Sequence, residues 1–253
     1  MNPVHYQITR KNRHHGEAII KGFGARAVSA EGARLEPDAL HLVGGLQYGS
    51  LELMQQLLGA AEPYVFFDRA YFGGGPGTNR LRVVPSAYQH HWITPRPPDR
   101  FERAGVELKP WRNEGRHILL VPPGQAVRAL FGIDGWLEAT ALRLKSCSER
   151  PVVVSVKGDP RPLSTRLHNC WCVVTWTSNV AVEAVCAGIP VFVSRHSAAA
   201  PVGVAIEQLE IRIEAPTMPD RSAWAHSLAY GEFDLGEIES GYARSVVMDG
   251  MPG

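Results

Sequence analysis

The run Val173-Val-Thr-Trp-Thr-Ser-Asn-Val-Ala-Val-Glu-Ala-Val-Cys-Ala-Gly-Ile-Pro-Val191 constrains this chain more than any other part of it. An apolar stretch gives way to a polar bend, then to a helical period, a glycine stop and a second apolar stretch. Cys172–Thr175 reads as a strand, Asn179–Ala187 as a helix ended by Gly188, and Val191–Val193 as the next strand. Two strands joined through a helix lie parallel, so the run predicts a βαβ unit. The bend at Thr177, Ser178 and Asn179 then sits at the carboxyl end of a strand, where open α/β sheets bind ligands.

The segments around it repeat the pattern. His117–Val121 reads as a buried strand closed by Pro122-Pro123-Gly124, Gly135–Lys145 as a helix, Val152–Val156 as a strand, and Pro162–His168 as a short helix. Four apolar strands with intervening helices predict a parallel, doubly wound sheet. Toward the amino terminus, Val4–Ile8, Ala39–Val43 and Tyr64–Phe67 read as strands, with helices at His15–Phe23 and Leu51–Leu58. Leu81–Val84 reads as extended. Gly73–Gly77 cannot continue a regular element and reads as a loop. Thr94–Pro98, rich in proline, reads as a linker. The tail reads as helical: Trp224, Leu228 and Tyr230 share an apolar face, and Asp234-Leu-Gly-Glu237 is a capping box for the last helix. The expected fold class is therefore α/β, with two Rossmann-like domains and a C-terminal helical tail. The expected domains are 1–98, 112–218 and a tail 219–253 that packs back on the first.

At 253 residues the chain has room for two such domains. A net charge of +1 excludes a surface that binds nucleic acid everywhere, so any polyanion contact has to be a local patch. The four cysteines form no C-x-x-C pair and read as reduced core residues, as in a cytoplasmic protein. No segment nears the roughly 20 apolar residues of a membrane helix. Met1–Arg13 is polar and basic with no apolar stretch behind it, so no signal peptide and no membrane partner are expected.

Candidate site residues follow from position. Free amides at the start of the helix after Asn179 suit a diphosphate, and the hydroxyls of Thr177 and Ser178 add donors. Glu183, one turn on, is placed to accept from ribose hydroxyls. The plainer alternative is that Ser178 or Asn179 caps the helix and Glu183 is a solvated residue. Lys157 follows a strand and would put an ammonium at the same edge, offsetting charge on a departing nucleotide. Gly124 permits a close backbone approach there. In the first half, Asp68 ends a strand and is a candidate general base, with Arg69 beside it; an Asp–Arg structural pair is the alternative. His15 opens the first helix and is a second candidate base. Arg10, Lys11 and Arg13, with His91 and Trp92 of Tyr88-Gln-His-His-Trp92, form the candidate acceptor or DNA contacts.

The order Thr-Ser-Asn, Glu-Ala, Ala-Gly-Ile-Pro-Val, with Val154-Ser-Val-Lys157 before it, resembles the donor-binding half of GT-B glycosyltransferases. The likeness covers about Ile118 to Val193 and is nearest to capsule and lipopolysaccharide sugar transferases and their phage-encoded relatives. It implies a nucleotide-sugar co-substrate, with a UDP-sugar expected, and no cofactor; the absence of a D-x-D motif fits a metal-independent site. The first half and the tail segments Trp224–Phe233 and Glu237–Tyr242 resemble phage proteins thought to include sugar transferases acting on hydroxymethylated DNA bases. That likeness implies duplex DNA with modified bases as the acceptor. A bacterial surface glycan is the alternative acceptor, and a non-catalytic nucleotide- or DNA-binding module the alternative class. A nucleotide-sugar epimerase would need G-x-G-x-x-G after the first strand, and Thr9–Gly16 has none.

Overall fold

Two parallel-rich sheets organise the chain in a computed structural model that describes residues 2–7, 13–47, 49–60, 62–72, 79–155 and 158–249. In chain order the elements begin with strand β1 (Asn2–Gln7), helix α1 (Arg13–Phe23), β2 (Arg26–Ser29), β3 (Ala39–Gly44), α2 (Ser50–Gly59), β4 (Tyr64–Arg69) and β5 (Arg80–Pro85). Next come α3 (Asp99–Ala104), β6 (His117–Val121), α4 (Gln125–Phe131), α5 (Trp136–Cys147), β7 (Val152–Val154), α6 (Leu163–Arg166), β8 (Cys170–Thr175) and α7 (Val180–Cys186). The rest are β9 (Val191–Val193), β10 (Val204–Ala205), α8 (Leu209–Arg212), α9 (Ser222–Ala229), β11 (Glu232–Asp234), α10 (Leu235–Glu239) and α11 (Tyr242–Met248). The chain divides into two compact units. Residues 1–88, 129–131 and 231–253 form the first, and 89–128 with 132–230 the second. The proline-rich stretch 94–98 thus lies inside the second unit instead of linking the two, and His91 and Trp92 lie there with it.

The second unit's sheet has the order β10-β9-β8-β6-β7, and each neighbouring pair is parallel. Its central strands are apolar on both faces because helices cover both. Ile118, Leu120, Cys172, Val174 and Phe192 turn to one side, where they pack with Trp136, Leu144, Leu209 and Ile213. The alternate residues Leu119, Val173, Val191 and Val193 are equally buried. Gly188, with φ of 76°, stops α7 as its place in the sequence predicts, and it also sits so close to Pro110 that a Cβ would meet the Pro110 carbonyl oxygen at 2.0 Å.

The first unit's sheet has the order β11-β5-β4-β3-β1-β2. β1 to β4 pair in parallel, while β5 and β11 run antiparallel at one side. β2 escapes sequence reading because Arg-Ala-Val-Ser on an exposed edge carries no apolar run. The tail is more than helices: Glu232–Asp234 forms β11 on β5, and the Asp234–Glu237 capping box starts α10 rather than the last helix. Gly241, at φ 84°, separates α10 from α11. Phe233, Ile238, Ala243 and Val247 from this segment enter one core with Phe23, Leu42, Val65, Phe67 and Val83. Helix α9 stays with the second unit, where the Trp224 indole N–H donates to Ala198 O at 2.7 Å.

Helix α1 meets α10 without room for a side chain at Gly22, where a Cβ would lie 1.7 Å from Ile238 O. Gly22→Ala is expected to push the two helices apart and cost about 2 kcal/mol. A lower thermal midpoint for the variant would bear this out, and an unchanged one would refute the close packing.

Candidate functional site

The strand order places the site in the second unit. β6 comes first in the chain yet lies between β7 and β8, so the chain leaves β6 in one direction and returns on its other side. In such a sheet a crevice opens at the carboxyl ends of the two strands flanking the reversal, here β6 and β8. The Thr175 hydroxyl donates to Val121 O at 2.8 Å and ties the two strand ends together. Gly124 follows β6 and is the N-cap of α4, with extended backbone and nothing within 4 Å of where a Cβ would stand. The bend Thr177–Asn179 follows β8 and leads into α7. Two of the sequence-predicted donor segments therefore meet at one edge.

The bend is well defined. Ser178 O and Asn179 O accept from Ala181 N and Glu183 N, so the helix begins here and its first amides point out of the sheet edge. Val180 N donates to Ser178 Oγ at 3.3 Å, the local capping contact that the plainer sequence reading expects. The Asn179 side chain makes no cap of its own to α7. Thr177 is buried, while Ser178 and Asn179 are half-buried.

Gln89 holds this bend, and sequence reasoning missed it. The side chain is almost fully buried, at 2% exposure. Its amide nitrogen donates to Thr177 O at 2.8 Å and approaches Asn179 Oδ1 at 3.4 Å, and its oxygen accepts from Ala198 N at 2.8 Å. One carboxamide thus clamps the β8–α7 bend to the loop after β9. Its own backbone carbonyl accepts from His91 Nδ1 at 2.9 Å. Beside it His90 stacks on Trp92 with centroids 4.3 Å apart, and the buried His90 bonds the Ser227 hydroxyl. Burial holds the His90 pKa down to about 4, with His91 and Arg96 adding to the effect. His91 lies edge-on to His196, which belongs to the loop after β9.

Glu183 is on the exposed side of α7, and the surrounding protein lifts its pKa while Arg166 opposes the lift. Arg166 also donates to Ser155, the buried residue that follows β7. It is a cation at this edge that the sequence reading passed over. Lys157 lies outside the described residues.

In the first unit the same reversal occurs around β1, flanked by β2 and β3. His15, in the first turn of α1, stands at the corresponding edge. Its Nε2 is buried without a hydrogen-bond partner among the described residues, and burial, with His14 alongside, lowers its pKa. Burial thus favours the neutral imidazole, the form a proton acceptor has to have. Arg10, Lys11 and the Gly73–Gly77 loop fall outside the described residues, as does the side chain of Arg13. Asp68 is differently placed from the expected free carboxylate. It faces Arg82 across the β4–β5 ladder, Arg82 donating to its Oδ2 at 2.7 Å, and Arg69 N donates to its Oδ1 at 2.8 Å. The structural partner is thus Arg82, and Arg69 itself is exposed. Arg82 also lies opposite Glu232 of β11 and over the rings of Tyr71 and Tyr88.

A surface depression lined by Arg116, Cys147, Ser148, Arg150 and Glu214 lies at the amino ends of β6 and β7. That is the wrong end of a parallel sheet for a ligand, and Arg150 is taken up by Glu214 at 3.0 Å and by the Trp171 ring. The four cysteines form no disulfide, and burial raises the Cys170 thiol pKa to about 12. No helix among the described residues is long and apolar enough to cross a membrane.

No family model and no characterised protein matches this chain in sequence. Two solved structures from Thermosulfurimonas dismutans KpsC match it in fold. The beta Kdo 2,4 transferase superposes with a TM-score of 0.53 and 13% identity over 97% of this chain and 98% of its own. The beta Kdo 2,7 transferase gives 0.56 and 15% over 97% and 99%. The fold is GT-B-like. At these identities the likeness carries no residue across, so each assignment rests on the geometry above.

Replacing Gln89 by Leu keeps the volume but strips partners from Thr177 O and Ala198 N. Chemical denaturation should show a loss of about 2 kcal/mol for Gln89→Leu; a neutral outcome would mean the bend holds itself. A second expectation concerns Glu232, fully buried, whose carboxyl accepts from Tyr71 N and Phe72 N and lies 3.8 Å from Arg80. Burial outweighs these contacts and raises its pKa from 4.5 to about 7. The folded chain therefore holds this proton more tightly than the unfolded one. Its contribution to stability declines as pH climbs from 4.5 to about 7 and levels off above. Urea midpoints across that range should fall in the parent and fall less steeply in Glu232→Gln.

Proposed function

We propose that this chain is a glycosyltransferase that moves a sugar from a nucleotide-sugar donor to a hydroxyl of a bacterial surface glycan. The observation that carries the proposal is the fold-wide likeness to the two KpsC Kdo transferases. The convergence of Gly124 and the Thr177–Asn179 bend on one strand reversal supports it.

In this reading the donor's phosphate groups lie against the bend, with Ser178 and Asn179 as side-chain contacts. Glu183 takes the ribose hydroxyls. Lys157 and Arg166 offset charge as the nucleotide leaves. The acceptor oxygen forms a bond to the anomeric carbon, the bond from that carbon to the phosphate oxygen breaks, and the nucleotide departs with the electron pair. His15 is the better of the two candidate bases for the acceptor proton. Asp68 is the weaker choice, since protonating it would break its ion pair with Arg82.

A hydroxymethylated base in phage DNA has less behind it as acceptor. His91 is bonded to the Gln89 backbone, and Trp92 is stacked on His90, so the expected base-contacting pair is engaged within the protein. The net charge of +1 adds no general attraction for a polyanion.

The test is transfer from a panel of CMP- and UDP-activated sugars, Kdo included, to surface-glycan oligosaccharides, with hydroxymethylated duplex DNA as a parallel acceptor and mass spectrometry as the readout. Glycan product is expected and DNA product is not. Neither transfer nor donor hydrolysis with any donor would remove the assignment. Ser178→Ala combined with Lys157→Ala should weaken donor affinity about tenfold or more; unaltered affinity would reduce the bend to scaffolding.

A further inference from the structure

A histidine occupies a buried place in an apolar row of the first unit. His5 lies in β1, is 5% exposed, and has Ala27 of β2 and Leu42 of β3 as its neighbours across the sheet. Neither side chain has a polar atom to offer it. The ring sits under the first turn of α1, where a Cβ on Gly16 would stand 3.3 Å from His5 Cε1. Nδ1 is bonded to that same carbon, and it is buried without a hydrogen-bond partner among the described residues. An apolar side chain would fill the position without leaving a buried nitrogen untaken.

A second imidazole shares the place. His15 directly precedes Gly16 in the same turn of α1, and its Nε2 is also buried with no partner among the described residues. The exposed His14 ring packs on it with centroids 4.2 Å apart. Burial holds the His5 pKa down to about 4 and lowers that of His15, where His14 adds to the effect. The neutral form of both rings is thus favoured. A neutral imidazole has one nitrogen that donates and one that accepts. Two such rings, each with an untaken nitrogen, suit a group that donates and accepts at a single atom. A hydroxyl does both. An anion only accepts, and would call for the charged rings that burial disfavours.

We infer that His5 and His15 form a hydroxyl-binding slot at the start of α1, in which the acceptor hydroxyl accepts from His5 Nδ1 and donates to His15 Nε2. The inference deepens the transferase reading and rests on it for its place in the reaction. On transfer the proton passes to His15 Nε2 while the acceptor oxygen bonds to the anomeric carbon. The bond from that carbon to the phosphate oxygen breaks, and the nucleotide leaves with the electron pair. His5 keeps its proton throughout and acts by holding the oxygen in place.

His5→Leu removes the donor and keeps the position apolar, and His5→Asn returns an amide near where Nδ1 stands. The Leu variant is expected to match or exceed the parent's thermal midpoint and to bind CMP and UDP as the parent does. Its acceptor KM should rise about tenfold with little change in kcat, and His5→Asn should recover most of that loss. His15→Gln should instead lower kcat about a hundredfold. An unaltered acceptor KM in His5→Leu overturns the slot, as does a loss that Asn fails to restore. Ring nitrogen resonances of the full chain read the slot without turnover, and decide alone should the Leu variant not fold. Both rings should carry their proton on Nδ1, and both should shift together as surface-glycan oligosaccharides are added. Such shifts in a chain that transfers no sugar keep the slot and remove the transferase reading. Transfer with no shift at either ring keeps that reading and refutes the slot.

Discussion

A polar bend at the end of a buried strand is an awkward object, because its carbonyls and amides have left the ladder and do not yet belong to the helix. In the second unit that difficulty is met by one carboxamide. Gln89 gives its N–H groups to the bend and takes an N–H from the loop after β9, so two segments joined only through α7 and β9 are locked at one edge. The placing of Thr177 and Asn179 in the donor reading follows from that lock. Ser178 and Asn179 stay half-open, while the carbonyl of buried Thr177 behind them is taken up by Gln89. His91 and His196 come near each other because one is bonded to the backbone of Gln89 and the other lies in the loop that its side chain holds.

The first unit repeats the reversal of strand order but treats charge differently. Its edge strands bring Asp68, Arg82 and Glu232 into register across three neighbouring strands. A buried guanidinium with a partly exposed carboxylate on one side and a buried carboxyl on the other is a structural network, and removing one member leaves the others uncompensated. A place at a strand end makes Asp68 a candidate base in the sequence, and that network is the physical reason it is occupied. His15, by contrast, lies beside the strand reversal with a buried ring nitrogen that no group among the described residues takes up.

The parts of this architecture legible in the sequence were those written in local pattern. Val173–Val191 reads as strand, bend, helix and strand because apolar period, glycine and proline all change within a few residues of each boundary. The Asp234–Glu237 capping box was visible for the same reason, although its helix is shorter than expected, since Gly241 interrupts it. What stayed hidden depends on distant partners. Gln89 bonds residues 88 and 109 positions away, and nothing near it in the chain announces that. Arg82 sits in an apolar stretch and acquires meaning only when β4 and β11 flank it. β2 and β11 are short and lack an apolar run, so period alone could not find them. Arg166 reaches the site from a four-residue helix whose sequence gives no sign of it.

The close seating of α10 on Gly22 of α1 has a bearing on how the molecule comes into being. Phe233, Ile238 and Val247 fill a core whose other walls were translated about two hundred residues earlier, with the whole second unit in between. During synthesis the stretch 89–230 can collapse on its own sheet, while the opening strands wait with an uncovered apolar face. The core of the first unit therefore closes only once α10 and α11 have been made.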